Sequence, residues 1–189
     1  KDPKKAVKTI RSAKMARLEK RAAEAAVHVV RDTAGVLPIR QDQRVLVAEQ
    51  VAGAHLNAND KYLHPGVFWE KMLEQSRNVS LLELQNDPTA ADREKLLDYM
   101  KYYDVLVITH YSGRSTLSTR KLIDEVLQKA GKTKVVVVAN SPLPYNTPVD
   151  WPTVICTYSP MPASLDAASR LMYGTLKAKR PAKRTAFDQ

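Results

Sequence analysis

The chain has 189 residues and a mass of 21.2 kDa, and its hydrophobic content of 44% is enough for one domain whose core needs neither a disulfide nor a metal ion. The single cysteine, Cys156, excludes an internal disulfide framework and fits a reducing compartment without excluding export. No apolar run approaches the roughly 18 residues of a membrane span, and the sequence does not open on a basic segment followed by an apolar one, so we expect neither a membrane span nor a signal peptide here. Because the first residue is Lys1 rather than Met, we expect a trimmed product or an expressed fragment.

The formal net charge of +10 is concentrated at the two ends of the chain. Residues 1–44 hold 12 Lys and Arg against 5 Asp and Glu, and residues 177–189 hold 5 against 1, whereas residues 45–176 hold 13 against 14. Basic ends bind nucleic acid or another polyanion in some proteins and are solvated helix faces and tails in others. We favour the solvated faces and do not expect nucleic-acid binding. A basic-armed α/β module that binds a polyanion remains the alternative.

Residues 3–31 are rich in Ala, Lys, Arg and Glu and carry a loose apolar stripe. These residue types favour helix, so we predict one long helix or two shorter ones before the breakers Gly35 and Pro38.

Five short runs after Pro38 are apolar and β-branched, as strands buried on both faces are. The runs are Arg44–Val51, Val79–Leu84, Asp104–Thr109, Lys134–Ala139 and Thr153–Thr157. We expect Val105, Val107, Val136 and Val138 to lie in the core of the central sheet.

Helical segments separate these runs. The predicted helices are Phe68–Ser76, one with Asp87 as N-cap and Pro88 in its first turn, one from about Ser115 to Ala130, and one from about Ser164 to Tyr173. The alternation predicts an α/β fold: a three-layer sandwich of five or six mostly parallel strands with helices on both faces. Such sheets bind ligands at the carboxyl ends of their strands. The loops at that edge are Glu49–Pro65, Gln85–Pro88, His110–Ser115, Asn140–Trp151 and Tyr158–Ala163.

These loops lack the common nucleotide-binding and catalytic motifs. The chain has six glycines and contains no G-x-G, P-loop or G-x-S-x-G pattern, so neither a flavin nor a dinucleotide site is predicted, and we expect no cofactor. A flavodoxin-like ligand-binding protein is a third interpretation, which bound flavin absorbance would reveal. His55 and His64 lie too far apart for a recognisable metal motif. Cys156 is predicted to be an inert core residue, and Trp151, in the Pro-rich segment VDWP, is expected to pack at an edge or partner surface.

The segment Lys134–Gly174 (KVVVVANSPLPYNTPVDWPTVICTYSPMPASLDAASRLMYG) resembles the C-terminal domain of family 3 glycoside hydrolases. The resemblance rests on a valine-rich strand, an Asn/Pro-rich segment, a strand ending in Thr-Tyr, and a Ser-Leu-x-Ala-Ala helix that ends at Gly. Upstream, HVVRDTAGVLPI (His28–Ile39) after an Ala-rich helix is similar to the same family. The match covers about residues 20–175, and CTYS…SLDAA is most similar to the β-N-acetylhexosaminidase branch. It does not extend past Gly174, where KAKRPAKRTAF replaces the family's Gly-x-Leu-Pro-Val strand.

The resemblance implies a two-domain retaining β-N-acetylglucosaminidase-like enzyme of which this chain is the non-catalytic part. Residues 1–20 would be a basic helical linker from an N-terminal barrel, residues 21–175 the α/β domain, and residues 176–189 a basic tail. The partners would be the barrel and, in the intact enzyme, a glycan substrate. The domain would shape the cleft and stabilise the barrel, and we expect the fragment alone to be inactive. The resemblance is compatible with a location in the bacterial cytoplasm and with an exported or cell-envelope location.

Retaining glycosidases use two carboxyl groups about 5–5.5 Å apart. Some members of the family that this chain resembles draw the acid/base from a loop of the second domain. Here the loop after the third strand (HYSGRSTLSTR) contains no Asp or Glu, which agrees with the branch expected to keep a His–Asp dyad on the barrel. We therefore assign no catalytic residue and no metal ligand to this chain. The carboxylates in or near the other edge loops are Glu49, Asp60, Asp87 and Asp150. The residues expected to face the cleft are His110, Ser112, Arg114, Asn140 and Tyr158.

Overall fold

A computed structural model describes residues 12–50, 66–85, 87–111, 117–142 and 147–177 of the chain. The described residues form six strands and five α-helices. In chain order these are α1 (Ala13–Ala26), β1 (His28–Asp32), β2 (Val45–Gln50), α2 (Val67–Leu73), β3 (Val79–Leu84), α3 (Ala90–Tyr99), β4 (Val105–His110), α4 (Leu117–Lys129), β5 (Lys134–Ala139), β6 (Thr153–Cys156) and α5 (Pro162–Met172). A 3₁₀ turn, Met100–Tyr102, follows α3.

All six strands belong to one sheet with the order β1-β6-β5-β4-β2-β3. Every neighbouring pair is parallel except β1 and β6, which are antiparallel. The predicted α/β class and the five or six mostly parallel strands are confirmed. The bounds of β3 and β5 agree with the predicted runs, and β2, β4 and β6 differ from them by one or two residues.

Alternate residues of the central strands build two separate cores. Val47, Val107 and Val136 face α2, α5 and the end of α1, whereas Leu46, Leu106 and Val137 face α3 and α4. The sheet is therefore covered on both sides, which makes the three-layer sandwich expected from the sequence. The predicted core residues Val105, Val107, Val136 and Val138 are all fully buried.

The prediction of continuous helix up to residue 31 is wrong. Helix α1 ends at Ala26 because Val27 adopts an extended conformation, and His28–Asp32 pairs antiparallel with β6 as an edge strand. The β-branched pair Val29 and Val30 favours strand over helix. Residues 3–11 of that predicted helix, like most of the two basic ends, lie outside the described residues.

Two further expectations need correction. Helix α3 begins two residues later than predicted, because the Thr89 hydroxyl accepts a hydrogen bond from the Asp92 backbone and forms a capping box, whereas Asp87 and Pro88 precede the helix. Trp151 does not pack at an exposed edge. Its side chain is fully buried, and its indole N–H donates to Asp124 Oδ1 of α4 at 2.7 Å.

Among the described residues, none of the helices has both the length and the hydropathy that crossing a membrane requires.

Candidate functional site

The carboxyl ends of the five parallel strands lie side by side at one edge of the sheet. The register places His110 of β4 beside Ala139 of β5, and Ala139 beside Cys156 of β6. Because β1 runs antiparallel, its first residue, His28, lies opposite Cys156 at the same edge. The carboxyl edge, as we call this part of the molecule, therefore includes the beginning of β1 as well as the ends of β2, β4, β5 and β6.

A buried polar network joins β2 and β4 at this edge. The Gln50 backbone N–H donates to Thr109 Oγ1 at 2.8 Å, and the Gln50 side-chain oxygen accepts from the Tyr111 backbone N–H at 2.8 Å. The Gln50 side-chain amide donates to Thr119 Oγ1 of α4, also at 2.8 Å. Buried polar groups that are satisfied in this way hold the ends of both strands in one geometry.

Glu49, the carboxylate that the sequence places nearest the end of β2, binds the beginning of α2. Its Oε1 accepts from the Phe68 backbone N–H at 3.0 Å, and its Oε2 accepts from the Trp69 backbone N–H at 3.1 Å. A carboxylate at this position compensates the unpaired N–H groups of the first helical turn. Both of its oxygens are therefore engaged with the helix, as a structural cap would be.

The end of β4 is more buried than the sequence suggests. His110 is only 1% exposed, and its ring packs edge-on against Trp151 with 5.3 Å between the ring centroids. Burial, together with the nearby charge of Glu49, raises the pKa of the Tyr111 hydroxyl well above its usual value, so that hydroxyl is protonated at neutral pH. Within this chain His110 packs inward, away from solvent.

Asn140 and Thr157 extend the edge from β5 to β6. The Asn140 backbone N–H donates to the His110 carbonyl at 3.4 Å, and the Thr157 backbone N–H donates to the Ala139 carbonyl at 2.8 Å. Asn140 is half-buried, and Thr157 is buried. Asn140 is thus placed between the ends of β4 and β6, as the strand order requires.

Tyr158 is the most exposed aromatic side chain at this edge. It is 52% exposed, and its backbone lies in the left-handed region with φ of 57°, which an aromatic L-residue rarely adopts. Its ring lies against that of His28, with 5.5 Å between centroids and an angle of 33°. The site therefore includes a pair of rings, one exposed and one half-buried, which we call the Tyr158–His28 pair.

Cys156, one residue from the edge, is an inert thiol. It is fully buried, and burial raises its pKa to about 11 although its hydrogen bond with the Tyr158 backbone acts in the opposite direction. Thiolates rather than thiols are nucleophiles, so Cys156 is unreactive at neutral pH.

Of the five residues expected to face a cleft, the structure places His110, Asn140 and Tyr158 along the carboxyl edge. Ser112 and Arg114 lie outside the described residues, as do Asp60, His55 and His64. Asp87 and Asp150 are exposed loop residues. Among the described residues, no group of three or more His, Cys, Asp or Glu side chains is arranged to hold a metal ion.

Sequence reasoning missed His28 and Gln50 as members of the site. His28 was included in the N-terminal helix, although the β-branched residues that follow it were a signal for a strand. Gln50 is the polar last residue of a buried apolar run, and such a residue marks the carboxyl end of a parallel strand.

The fold of the described chain is found in part of the glycoside hydrolase family 3 enzymes. The chain aligns with a family 3 β-N-acetylglucosaminidase from Paenibacillus sp. strain FPU-7 with a TM-score of 0.76 and 14% identity, covering 88% of this chain and 32% of that one. It aligns with a fungal multi-domain family 3 β-N-acetylglucosaminidase with a TM-score of 0.67 and 21% identity. This alignment covers 90% of this chain and 19% of the fungal enzyme. It aligns with a β-glucosidase from Listeria innocua, solved as a D270A mutant with laminaribiose, with a TM-score of 0.68 and 11% identity. This alignment covers 89% of this chain and 26% of the Listeria enzyme.

No family model matches the sequence, and neither does any curated protein. The chain spans a third or less of the length of each of these three solved enzymes, so it has the fold of one part of a larger molecule.

Proposed function

We propose that this chain is the C-terminal, non-catalytic domain of a retaining β-N-acetylglucosaminidase-like glycoside hydrolase, and that it shapes the substrate cleft and stabilises a barrel domain. The observation that carries the proposal is the alignment over 88% of this chain with only 32% of the Paenibacillus enzyme. In this proposal residues 1–20 are the linker from the barrel, residues 21–175 the domain, and residues 176–189 a basic tail.

The geometry of the carboxyl edge favours a structural role for this chain over a catalytic one. A retaining mechanism needs a nucleophile and an acid/base about 5–5.5 Å apart. At the described edge Glu49 uses both oxygens to bind the beginning of α2, and burial keeps the hydroxyl of Tyr111 and the thiol of Cys156 protonated. In this proposal the nucleophile and the acid/base of the intact enzyme belong to the barrel.

The N-acetylglucosamine branch is proposed over the glucosidase branch on two grounds. The segments CTYS (Cys156–Ser159) and SLDAA (Ser164–Ala168) resemble the β-N-acetylhexosaminidases. The two aligned β-N-acetylglucosaminidases are 14% and 21% identical to this chain, compared with 11% for the Listeria β-glucosidase. The substrate class is accordingly a glycan with a terminal β-linked N-acetylglucosamine.

The test is complementation between two separate polypeptides. The chain is expressed alone, and the preceding part of the same gene is expressed as the barrel. Both are assayed with 4-nitrophenyl N-acetyl-β-glucosaminide, separately and mixed, and association is followed by size-exclusion chromatography. We expect the two to co-elute and the mixture to exceed the barrel alone in kcat/KM.

The variants Arg114→Ala and Asn140→Ala test two of the residues that the sequence predicts to face the cleft. Tyr102→Ala is the matched control because Tyr102 is 69% exposed and lies at the amino ends of the strands. The proposal expects Arg114→Ala and Asn140→Ala to lower kcat/KM of the mixture at least threefold and the control to leave it unchanged. A barrel that is equally active with and without this chain would contradict the proposal.

A further inference from the structure

We propose that the Tyr158–His28 pair is a binding platform for one pyranose ring of the glycan, with Tyr158 packing against the C–H face of the sugar and His28 accepting a sugar hydroxyl. This inference rests on the proposed function, since it assigns a sugar-contacting surface to the same edge. Four observations carry it: the strained backbone of Tyr158, its exposure, its rigid mounting, and the unused polar atoms beside it.

The backbone strain at Tyr158 marks a position where the side chain has a purpose other than stability. Among the described residues, Tyr158 is the one non-glycine with a positive φ, at 57°. A non-glycine in this region costs on the order of 1 kcal/mol and persists where the surroundings enforce it, often at ligand-binding sites. Glycine or asparagine would satisfy the same turn, so folding alone does not account for a tyrosine here.

The backbone that carries the exposed ring is fixed on both sides of Tyr158. On one side, Thr157 donates from its backbone to the Ala139 carbonyl at 2.8 Å and from its hydroxyl to the same oxygen at 3.3 Å. On the other side, Pro160 restricts the chain, and the Met161 backbone N–H donates to Ser159 Oγ at 3.1 Å just before α5 begins. An aromatic side chain mounted in this way binds a ligand with little loss of conformational entropy.

The polar atoms of the pair are available to a ligand. His28 Nδ1 lies 3.2 Å from the Ala26 carbonyl, and because a carbonyl only accepts, Nδ1 must carry the hydrogen. In the tautomer with its hydrogen on Nδ1, Nε2 is an acceptor, and within the described residues neither this atom nor the Tyr158 hydroxyl has a hydrogen-bond partner. A sugar ring presents an apolar C–H face with hydroxyl groups around it, and the pair offers an apolar ring face beside one acceptor and one hydroxyl.

The position of the pair also fits a sugar site. It lies where the carboxyl edge meets the edge strand β1, on the side of the sheet where α/β proteins bind ligands. Exposed tyrosines occur elsewhere in the described chain, namely Tyr99 and Tyr102, but both lie at the end of α3 and in the turn after it, toward the amino ends of the strands. Tyr102 therefore provides a control of the same residue type.

The experiment is an NMR titration of the full chain with the β-1,4-linked trisaccharide of N-acetylglucosamine. We expect saturable shifts of the Tyr158 and His28 resonances. Tyr158→Ala should weaken binding at least tenfold, Tyr158→Phe should keep it within threefold because the ring face remains, and Tyr102→Ala should leave it unchanged. His28→Ala, which removes the acceptor, should weaken binding at least threefold.

The inference is overturned if the trisaccharide produces no saturable shift, or if binding survives in Tyr158→Ala. Circular dichroism of each variant separates loss of binding from loss of folding. The titration uses this chain alone and no catalytic turnover, so its failure leaves the complementation result intact. Conversely, an intact gene product without glycosidase activity would overturn the proposed function whatever the titration shows.

Discussion

At the scale of single residues, a few side chains hold the irregular segments of the molecule against the regular sheet. Asp32 is one: its carboxylate accepts from the backbone of Val36 at 2.9 Å and of Leu37 at 3.1 Å, and from the Thr153 hydroxyl at 2.9 Å. Arg31 is another, donating to the carbonyls of Pro148 and Trp151. Tyr158 is different from both, because its backbone conformation opposes folding rather than favouring it.

Relief of strain at Tyr158 should therefore stabilise the chain. Tyr158→Gly is expected to raise the free energy of unfolding by about 0.5–1 kcal/mol, since glycine adopts a positive φ without steric cost. The midpoint of urea unfolding measures the change. Tyr102→Gly is the control: this exposed tyrosine lies in a 3₁₀ turn, and its replacement should lower the same free energy by up to about 1 kcal/mol. Equal losses in the two variants would show that Tyr158 is not strained.

At the scale of elements, the strands of the central sheet could be predicted from sequence and the edge strand could not. The runs around Val105 and Val136 are continuous and β-branched because both faces of those strands are buried, so their pattern is unambiguous. The edge strand His28–Asp32 has half-buried residues throughout and follows a helix directly, so its five residues give a weak pattern. The conformation of this segment is decided by its pairing with β6, in which Asp32 lies opposite Thr153, 121 residues later in the chain. A local sequence pattern carries no information about such a distant contact.

The candidate site was predictable only in part, for a related physical reason. Parallel strands bring their carboxyl ends together, so His110, Asn140 and Tyr158 were identified from their positions after apolar runs. The partners of these residues come from elements that are distant in sequence. His28 reaches the site through antiparallel pairing, and Trp151 turns inward because Asp124 of α4 accepts its N–H.

The Trp151–Asp124 hydrogen bond fixes the segment before β6 to α4. Asp124→Ala should lower the free energy of unfolding by about 1–3 kcal/mol, because the indole N–H would be left without an acceptor in a buried site. Asp124→Asn keeps an acceptor oxygen, so its loss of unfolding free energy should be less than half that of Asp124→Ala. Chemical denaturation with tryptophan fluorescence as the probe measures both. Equal losses in the two variants would contradict a role for the hydrogen bond.

The contact between α3 and α4 should make stability sensitive to acid. The Arg93 guanidinium and the Lys129 ammonium bind Glu125 and lower the pKa of its carboxyl to about 2. A carboxyl whose pKa is lowered on folding stabilises the protein above its unfolded pKa of 4.5, and this stabilisation is lost as the pH falls from about 4.5 toward 2. Glu125→Gln should flatten that part of the plot of stability against pH.

The change in the pH dependence of stability caused by Glu125→Gln should be small, because the side chains of Arg93 and Lys129 are about half exposed to solvent. Urea unfolding of both proteins between pH 2 and pH 6 measures it. Asp98→Asn is the control, since Asp98 and its partner Lys101 are both more than half exposed on their side chains and form an ordinary surface pair. A slope unchanged by Glu125→Gln would contradict the proposed linkage.

At the scale of the whole molecule, stability depends on a sheet that is buried on both faces. Val136, at the centre of β5, is fully buried among the helices of one face. Val136→Asp would place an unpaired charge there, and we expect a loss of several kcal/mol or failure to fold.

Lys134→Asp is the control for Val136→Asp, because Lys134 is the exposed first residue of the same strand. Lys134→Asp should change the free energy of unfolding by no more than about 0.5 kcal/mol, as most surface substitutions do. Thermal unfolding by circular dichroism compares the two variants. A melting temperature of Val136→Asp within a degree or two of the unmutated chain would contradict the assignment of β5 to the core.

We propose that this chain is the second domain of a glycosidase and carries no catalytic residue of its own. The most direct measurement is the turnover of 4-nitrophenyl N-acetyl-β-glucosaminide by this chain and by the product of the whole gene that encodes it, at equal molar concentration. The account predicts release of 4-nitrophenol by the whole product and none above background by this chain. Turnover by this chain, abolished by Glu49→Gln or Asp60→Asn, would contradict it.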